Sequence, residues 1–273
     1  MADRPAIPAP IKRVVRQRCG FGCVLCGLPI YDYEHMAEWA STLQHDADEI
    51  TLLCPTHHAE KSRGLRPVEQ VRAANAAPFN FRTGASTPWT LHYAGSRCEA
   101  VIGGNHFSAA TINGDQVLVP LMIDGEPLLL FRVEDGHLLL SLSVYDERNE
   151  PVLLIEDNAL VLMVGAAWDF EFVASRLFIR NAPRTILIDV AFEPPQRVVV
   201  HRGFFMRNGV CVIVEPDGFS VPNVQAYFRN CAMRGVSAGL ILGPEDHGLA
   251  AAWQHEAPPR ASEAVLRQWS RGS

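Results

Sequence analysis

The placement of four soft metal ligands limits most strongly how this chain can fold: Cys23-x2-Cys26 and, further on, Cys54-x2-His57. Two pairs at this short spacing let two turns clamp one tetrahedral Zn²⁺. His57 rather than the adjacent His58 is the expected fourth ligand, because Cys-x2-His copies the geometry of Cys-x2-Cys. That choice leaves His58 free to point towards a neighbouring site. Three thiolates and one imidazole around a cation can substitute for the hydrophobic core that a module of about 60 residues lacks. Cys19 is the alternative ligand, but its spacing from Cys23 and the intervening Gly20-Phe21-Gly22 make it a poorer partner. The remaining cysteines, Cys98, Cys211 and Cys231, have no framework spacing and read as free thiols.

Between the two pairs lies Glu34-His35, and His58 directly follows the second pair. With these residues, the span of about 10–76 resembles the HNH endonuclease family, whose ββα-metal module carries a His base on a hairpin and a metal-binding His on the next helix. The resemblance implies that His35 is the general base, and that Glu34 and His58 hold one Mg²⁺-type or transition-metal ion. Two departures stand out. Glu34 replaces the more usual Asp, and Glu49 occupies the place of the central Asn. Glu49 becomes a candidate ligand, with Asp46 or Asp48 supplying the loop hydrogen bonds. His45, in the polar loop before Asp46, reads as a solvated histidine.

Net charge is −6, which is not typical of a free DNA binder. Residues 1–92 hold ten Lys/Arg and nine Asp/Glu (+1), and the remainder fourteen and twenty-one (−7). Basic residues flank the cysteine motif, and Lys61, Arg63, Arg66 and Arg72 are the candidate DNA contacts. The β-rich remainder is an unlikely phosphate reader by its charge.

The pattern predicts an α+β chain in four parts: a nuclease module over 1–76, a turn-rich linker over 77–96, a β domain over 97–258, and a tail or short helix over 259–273. In the module, helices are expected at 11–18, 56–62 and 67–74, and strands at 28–33 and 50–53. Met36, Trp39 and Leu43 also fit a helical face. Short apolar runs from 101 to 221, separated by Asp-Gly and Asn-Gly turns, predict an antiparallel sandwich, with a β-solenoid as the alternative. Residues 223–233 read as a helix.

The function expected is a metal-dependent DNA endonuclease or nickase, with structural zinc, a catalytic divalent cation, and a β domain that targets or regulates it through a small molecule, a protein or self-association. Bacterial defence or a mobile element is the setting suggested by analogy. The rival is a non-catalytic zinc finger that binds nucleic acid or protein. No apolar run approaches the roughly 18–20 residues of a membrane span, and the N-terminus lacks a signal-peptide layout, so the cytoplasm is expected.

Overall fold

The computed structural model describes residues 5–37, 44–109, 112, 116–244 and 248–271. The chain mixes α and β, mostly sheet with few helices, and divides into two compact units. The first is Met1–Trp89 with Val161–Phe172; the second is Thr90–Leu160 with Val173–Ser273. Trp39 and Leu43, expected on a helical face, lie outside the described residues.

The first unit opens with α1 (Ala9–Arg18), which carries proline in its first turn, where a missing N–H has no cost. Val15 is its fully buried residue, and the turn after it places Gly20 in the left-handed region. Strand β1 (Asp32–His35) pairs antiparallel with β2 (Ile50–Leu53), setting Glu34 opposite Thr51 and His35 opposite Ile50. All four residues of β2 are buried. Helix α2 (Pro55–Ser62) begins directly after Cys54 with Pro55 at its first position and stops at Gly64. Helices α3 (Val68–Ala76) and α4 (Phe79–Thr83) follow. A small core of Val15, Val24, Ile50, Leu52, Leu53 and Val71 joins them.

The strand expected at 28–33 begins later, at Asp32. The backbone before it is committed to tight turns, with Gly27 N–H bonded to the Cys23 carbonyl and Cys23 N–H to Leu28, and Pro29 has no N–H for a ladder. The span read as a linker holds α4 and the two-residue strand β3 (Trp89–Thr90).

Residues 161–172 complete this unit from far along the chain. Phe170 meets Phe21 edge-on at 5.0 Å between ring centroids. Arg16 is 2% exposed, and its guanidinium forks onto the fully buried Asp169 at 2.9 and 2.7 Å. It also donates to Tyr33 at 2.9 Å and Glu171 at 3.1 Å. Burial opposes the charge, but the Asp169 hydrogen bonds override it and hold the Arg16 pKa above its ordinary value. Removing one member of such a pair strands the other in a poorly solvating interior.

The second unit runs through β4 (Cys98–Ile102), β5 (Asn105–Ala109), β6 (Val117–Ile123), β7 (Glu126–Glu134), β8 (His137–Tyr145), β9 (Pro151–Glu156) and the first two residues of β10 (Ala159–Leu162). After β11 (Asp169–Val173) it continues through β12 (Arg176–Ala182), β13 (Thr185–Glu193), β14 (Arg197–Arg207), β15 (Val210–Glu215), β16 (Gly218–Val221) and β17 (Ala226–Phe228). Strands β18 (Ala232–Arg234), β19 (Ala238–Leu242) and β20 (Ala251–His255) precede α5 (Glu263–Arg271).

One sheet has the order β20-β19-β6-β7-β8-β9, with β10 and β3 at its edge; the other runs from β12 to β17, with β4, β5 and β18 attached through β14. Asp124-Gly125, Asp135-Gly136 and Asn208-Gly209 turn their hairpins with positive φ at both residues, the geometry whose twist suits a two-residue connection. Side chains of both sheets, among them Phe107, Leu121, Val212, Phe219 and Leu240, line one apolar interior. Each such burial contributes roughly 1.5–3 kcal/mol.

Two expectations need correction. The unit is not purely antiparallel: β14 pairs parallel with β4, β18 with β5, and β19 with both β6 and β20. Three of those four pairs are joined by long returns rather than hairpins, which permits parallel pairing, while eight residues separate β19 from β20. Residues 223–233 do not form a helix but a 3-10 turn (Pro222–Val224) followed by β17 and β18. Gln225 and Asn230 adopt positive φ, and the Asn223 side chain bonds the Cys211 N–H and the Gly209 and Pro259 carbonyls.

Asp169→Ala should therefore lower the stability of the first unit by about 3–5 kcal/mol. Asp157→Ala, which leaves the more exposed Arg132 paired with Glu134 alone, should cost about 1 kcal/mol or less. Thermal unfolding of the two variants provides the comparison; equal shifts would contradict it.

Candidate functional site

Two turns and one helix bring the four soft ligands together. Cys23 and Cys26 lie in the tight turn after α1, Cys54 directly follows β2, and His57 sits in the first turn of α2. Their ligand atoms all lie within 4.8 Å of one another. Cys23 Sγ and Cys54 Sγ are 3.2 and 3.3 Å from His57 Nδ1, and Cys26 Sγ is 3.8 Å from Cys54 Sγ. A tetrahedral zinc ion, with Zn–S about 2.3 Å and Zn–N about 2.0–2.1 Å, requires ligand edges of about 3.4–3.8 Å. The Cys26–Cys54 edge matches and the two His57 edges are shorter by one or two tenths of an ångström, and the donor set is that of a cluster that can bind a metal such as zinc. His57 provides Nδ1, and His58 is directed elsewhere.

Backbone amides prepare the sulfurs for negative charge. The N–H groups of Cys26 and Cys54 donate to Cys23, Leu28 to Cys26, and His57 to Cys54. The hydrogen bond from Cys26 draws the Cys23 thiol down to about 4 and pushes Cys26 up. Burial raises Cys54. Metal binding needs the thiolate forms, so a dication would displace the thiol protons. Cys19 stays outside: its buried thiol contacts Thr51 Oγ1 at 3.8 Å and Asn75 Oδ1 at 3.5 Å, and burial raises its pKa.

Residues 79–87 close the turn from behind. Asn80 is 1% exposed and donates to the Gly20 carbonyl at 2.8 Å. Thr87 Oγ1 donates to the Cys26 carbonyl, and Phe79 N–H bonds the Val24 carbonyl at 3.0 Å. Gly27 has φ +77°, and a Cβ there would lie 2.3 Å from Asn80 Oδ1. Nothing in the sequence marked Asn80 or Thr87 as supports of the cluster, because each acts across a long loop.

Beside the cluster lies a second group. Glu34 Oε2 is 2.9 Å from His58 Nε2, and Lys61 Nζ is 2.5 Å from Glu34 Oε1 and 2.8 Å from the His35 carbonyl. β1 supplies the carboxylate and α2 supplies both cationic partners. His35 follows Glu34 in the strand, so its side chain leaves the opposite face. It is 4% exposed and lies against His45, with His45 Nδ1 3.3 Å from His35 Nε2. The histidine expected to be solvated is therefore a neighbour of the expected base. Only the spacing of a loop residue linked it to this position, and that is no signal.

The other expected residues scatter. Glu49 does not join Glu34 and His58; its carboxylate is forked by Arg72 at 3.1 and 2.6 Å, which holds its pKa below the ordinary value. Arg66 pairs with Glu60 and bonds Gln70. Lys61 is engaged by Glu34, which leaves Arg63 as the one of the four expected DNA contacts with no ion pair among the described residues. Asp46 caps the 3-10 turn Ala47–Glu49 by accepting from the Asp48 N–H, as a loop-holding carboxylate should.

Comparison of the chain with protein-family models, curated proteins and solved structures returned no match.

Metal analysis of protein purified without chelator should find one zinc per chain. Gly27→Ala adds overpacking to left-handed strain, an expected cost of about 2–5 kcal/mol, with faster zinc loss to a colorimetric chelator. Gly64→Ala, with open space around its Cβ, should cost only about 1–2 kcal/mol and leave zinc release unchanged. Equal zinc release by both variants would separate the turn from the metal.

Proposed function

We propose that this chain is a metal-dependent DNA endonuclease or nickase of the HNH type, with its second unit controlling where or when the first one cuts. The observation that carries this reading is the convergence of Glu34 and His58 at 2.9 Å, immediately beside the Cys23/Cys26/Cys54/His57 cluster. A carboxylate oxygen and an imidazole nitrogen suit a Mg²⁺-type or transition-metal ion with remaining positions open to phosphate and water. Such an ion, when bound, supplies Lewis-acid stabilisation of the scissile phosphate and its leaving oxygen.

The chain's own residues divide the remaining work. Glu34 and His58 are held in place by β1 and α2, and α2 is itself tied to the cluster through His57. Lys61 holds the second Glu34 oxygen and can turn towards a phosphate when Glu34 is otherwise engaged. His35 takes the proton of the attacking water, which a neutral imidazole does well near pH 7. Arg63 lies exposed just beyond α2, where a duplex backbone would pass.

A second reading is favoured by two particular facts. His35 is nearly sealed from solvent, and Glu34 already has a salt-bridge partner in Lys61. Both suit a non-catalytic zinc finger in which these residues are structural. No helix among the described residues is long and apolar enough to cross a membrane.

Plasmid DNA incubated with the full chain and Mg²⁺, Mn²⁺ or Ni²⁺ should be nicked or linearised. Glu34→Ala and His35→Ala should each reduce cleavage by about 10²–10⁴-fold while zinc content stays at the wild-type level. Wild-type cleavage by His35→Ala would remove the base assignment. No cleavage by the wild-type chain with any of the three ions would favour the zinc-finger reading.

A further inference from the structure

One segment from far along the chain bears on the metal turn from both sides. Val161–Phe172 belongs to the first unit, although the chain up to Leu160 and again from Val173 belongs to the second. Its first half meets residues 84–86. Ser86 N–H donates to the Leu162 carbonyl at 2.9 Å, Leu162 N–H to Ser86 Oγ at 2.9 Å, and Val164 N–H to the Gly84 carbonyl at 3.0 Å. Ala85 and Met163 form an antiparallel bridge within this ladder. The residue after Ser86 reaches the ligand turn itself. Thr87 N–H donates to the Gly27 carbonyl at 3.2 Å, and Thr87 Oγ1 donates to the Cys26 carbonyl. The second half of the segment holds the other side of the turn. Asp169 takes the fork of Arg16, the Trp168 carbonyl accepts from Gln17 Nε2 at 2.9 Å, and Phe170 meets Phe21, two residues before Cys23.

These contacts are sealed from solvent. Ser86 is 5% exposed, Leu162 2%, and Asp169 is fully buried. Buried hydrogen bonds of this kind are not replaced by bonds to water when a partner is lost. A structural zinc leaves its site only when its ligands swing away, so its release follows the free energy of opening the turn that carries Cys23 and Cys26. We propose that Val161–Phe172 is a clamp on that turn, so that a segment contributed by the later part of the chain sets how firmly Cys23, Cys26, Cys54 and His57 retain zinc. The proposal rests on the cluster holding zinc and not on the nuclease reading. The segment is joined to the second unit at both ends, which gives that unit a covalent route to the metal turn. Linkage makes the dependence mutual: whatever the seated segment adds to zinc retention, bound zinc adds to the seating of the segment.

The experiment follows zinc release from the full chain to a colorimetric chelator in excess. Ser86→Ala removes the acceptor of the Leu162 N–H without touching a ligand. It should speed release by about 5–50-fold, the scale of one buried N–H left without its acceptor. Asp169→Asn, which loosens the α1 side, should speed release as well. Asn223→Ala removes three side-chain hydrogen bonds in the second unit and should leave release at the wild-type rate. Deuterium exchange supplies the reciprocal readout. Stripping zinc from the wild-type chain should raise uptake in peptides covering 161–172 while peptides from β13 keep theirs. Wild-type release by Ser86→Ala would overturn the proposal, as would Asn223→Ala speeding release as much as Ser86→Ala does. A zinc-free chain with unchanged uptake over 161–172, or a chain that holds no zinc at all, would overturn it equally.

Discussion

The first unit depends on four ligand atoms meeting within 4.8 Å. Its apolar core is small, and its two strands are only four residues long each. A sheet of this size has little stability of its own in water. Closing Cys23, Cys26, Cys54 and His57 around one cation joins the turn after α1 to the end of β2 and the start of α2. That closure determines where His58 points, because His58 is one residue beyond a ligand on the same helix. It also brings α2 close enough to β1 for Glu34 to reach His58 and Lys61. The proposed chemistry is thus a consequence of the structural site rather than an independent feature.

A second dependence is less visible in the chain. Asp169 follows Arg16 by 153 positions and Phe170 comes from the same distant segment as it meets Phe21, yet they are packed within the same unit. Arg16 would be a costly residue to bury without Asp169. A module cut at residue 76 would lack that carboxylate and the Phe170 ring, and so would leave the Arg16 guanidinium without its ion pair and one face of Phe21 exposed. Residues 79–87 extend the same argument, since Asn80 and Thr87 hold the metal turn from outside the motif.

Features that rest on local chemistry were legible in the sequence. The ligand spacing, Pro55 at the start of α2, the run of residues 50–53, and the Asp-Gly hairpins each follow from contacts within a few residues. Features that rest on distant partners were not. The parallel pairing of β4 with β14, and of β19 with β6, is decided by which remote strand fills an open edge. The helix read at 223–233 failed because Asn223 spends its side chain on three backbone groups, and Gln225 and Asn230 take positive φ. At the site, the Cys and His positions could be read from spacing. The His35–His45 contact and the Glu49–Arg72 pair could not, because a loop residue's partner is set by the tertiary fold.

The most direct test of the metal-centred account is X-ray absorption at the zinc edge on the purified full chain. The expected first shell is three sulfurs at about 2.3 Å and one nitrogen at about 2.0–2.1 Å. The same shell should persist in His58→Ala and lose one sulfur in any Cys54→Ser protein that retains metal. A shell of oxygens and nitrogens alone, or one altered by His58→Ala, would contradict the assignment of the four ligands and the placement of the neighbouring site that follows from it.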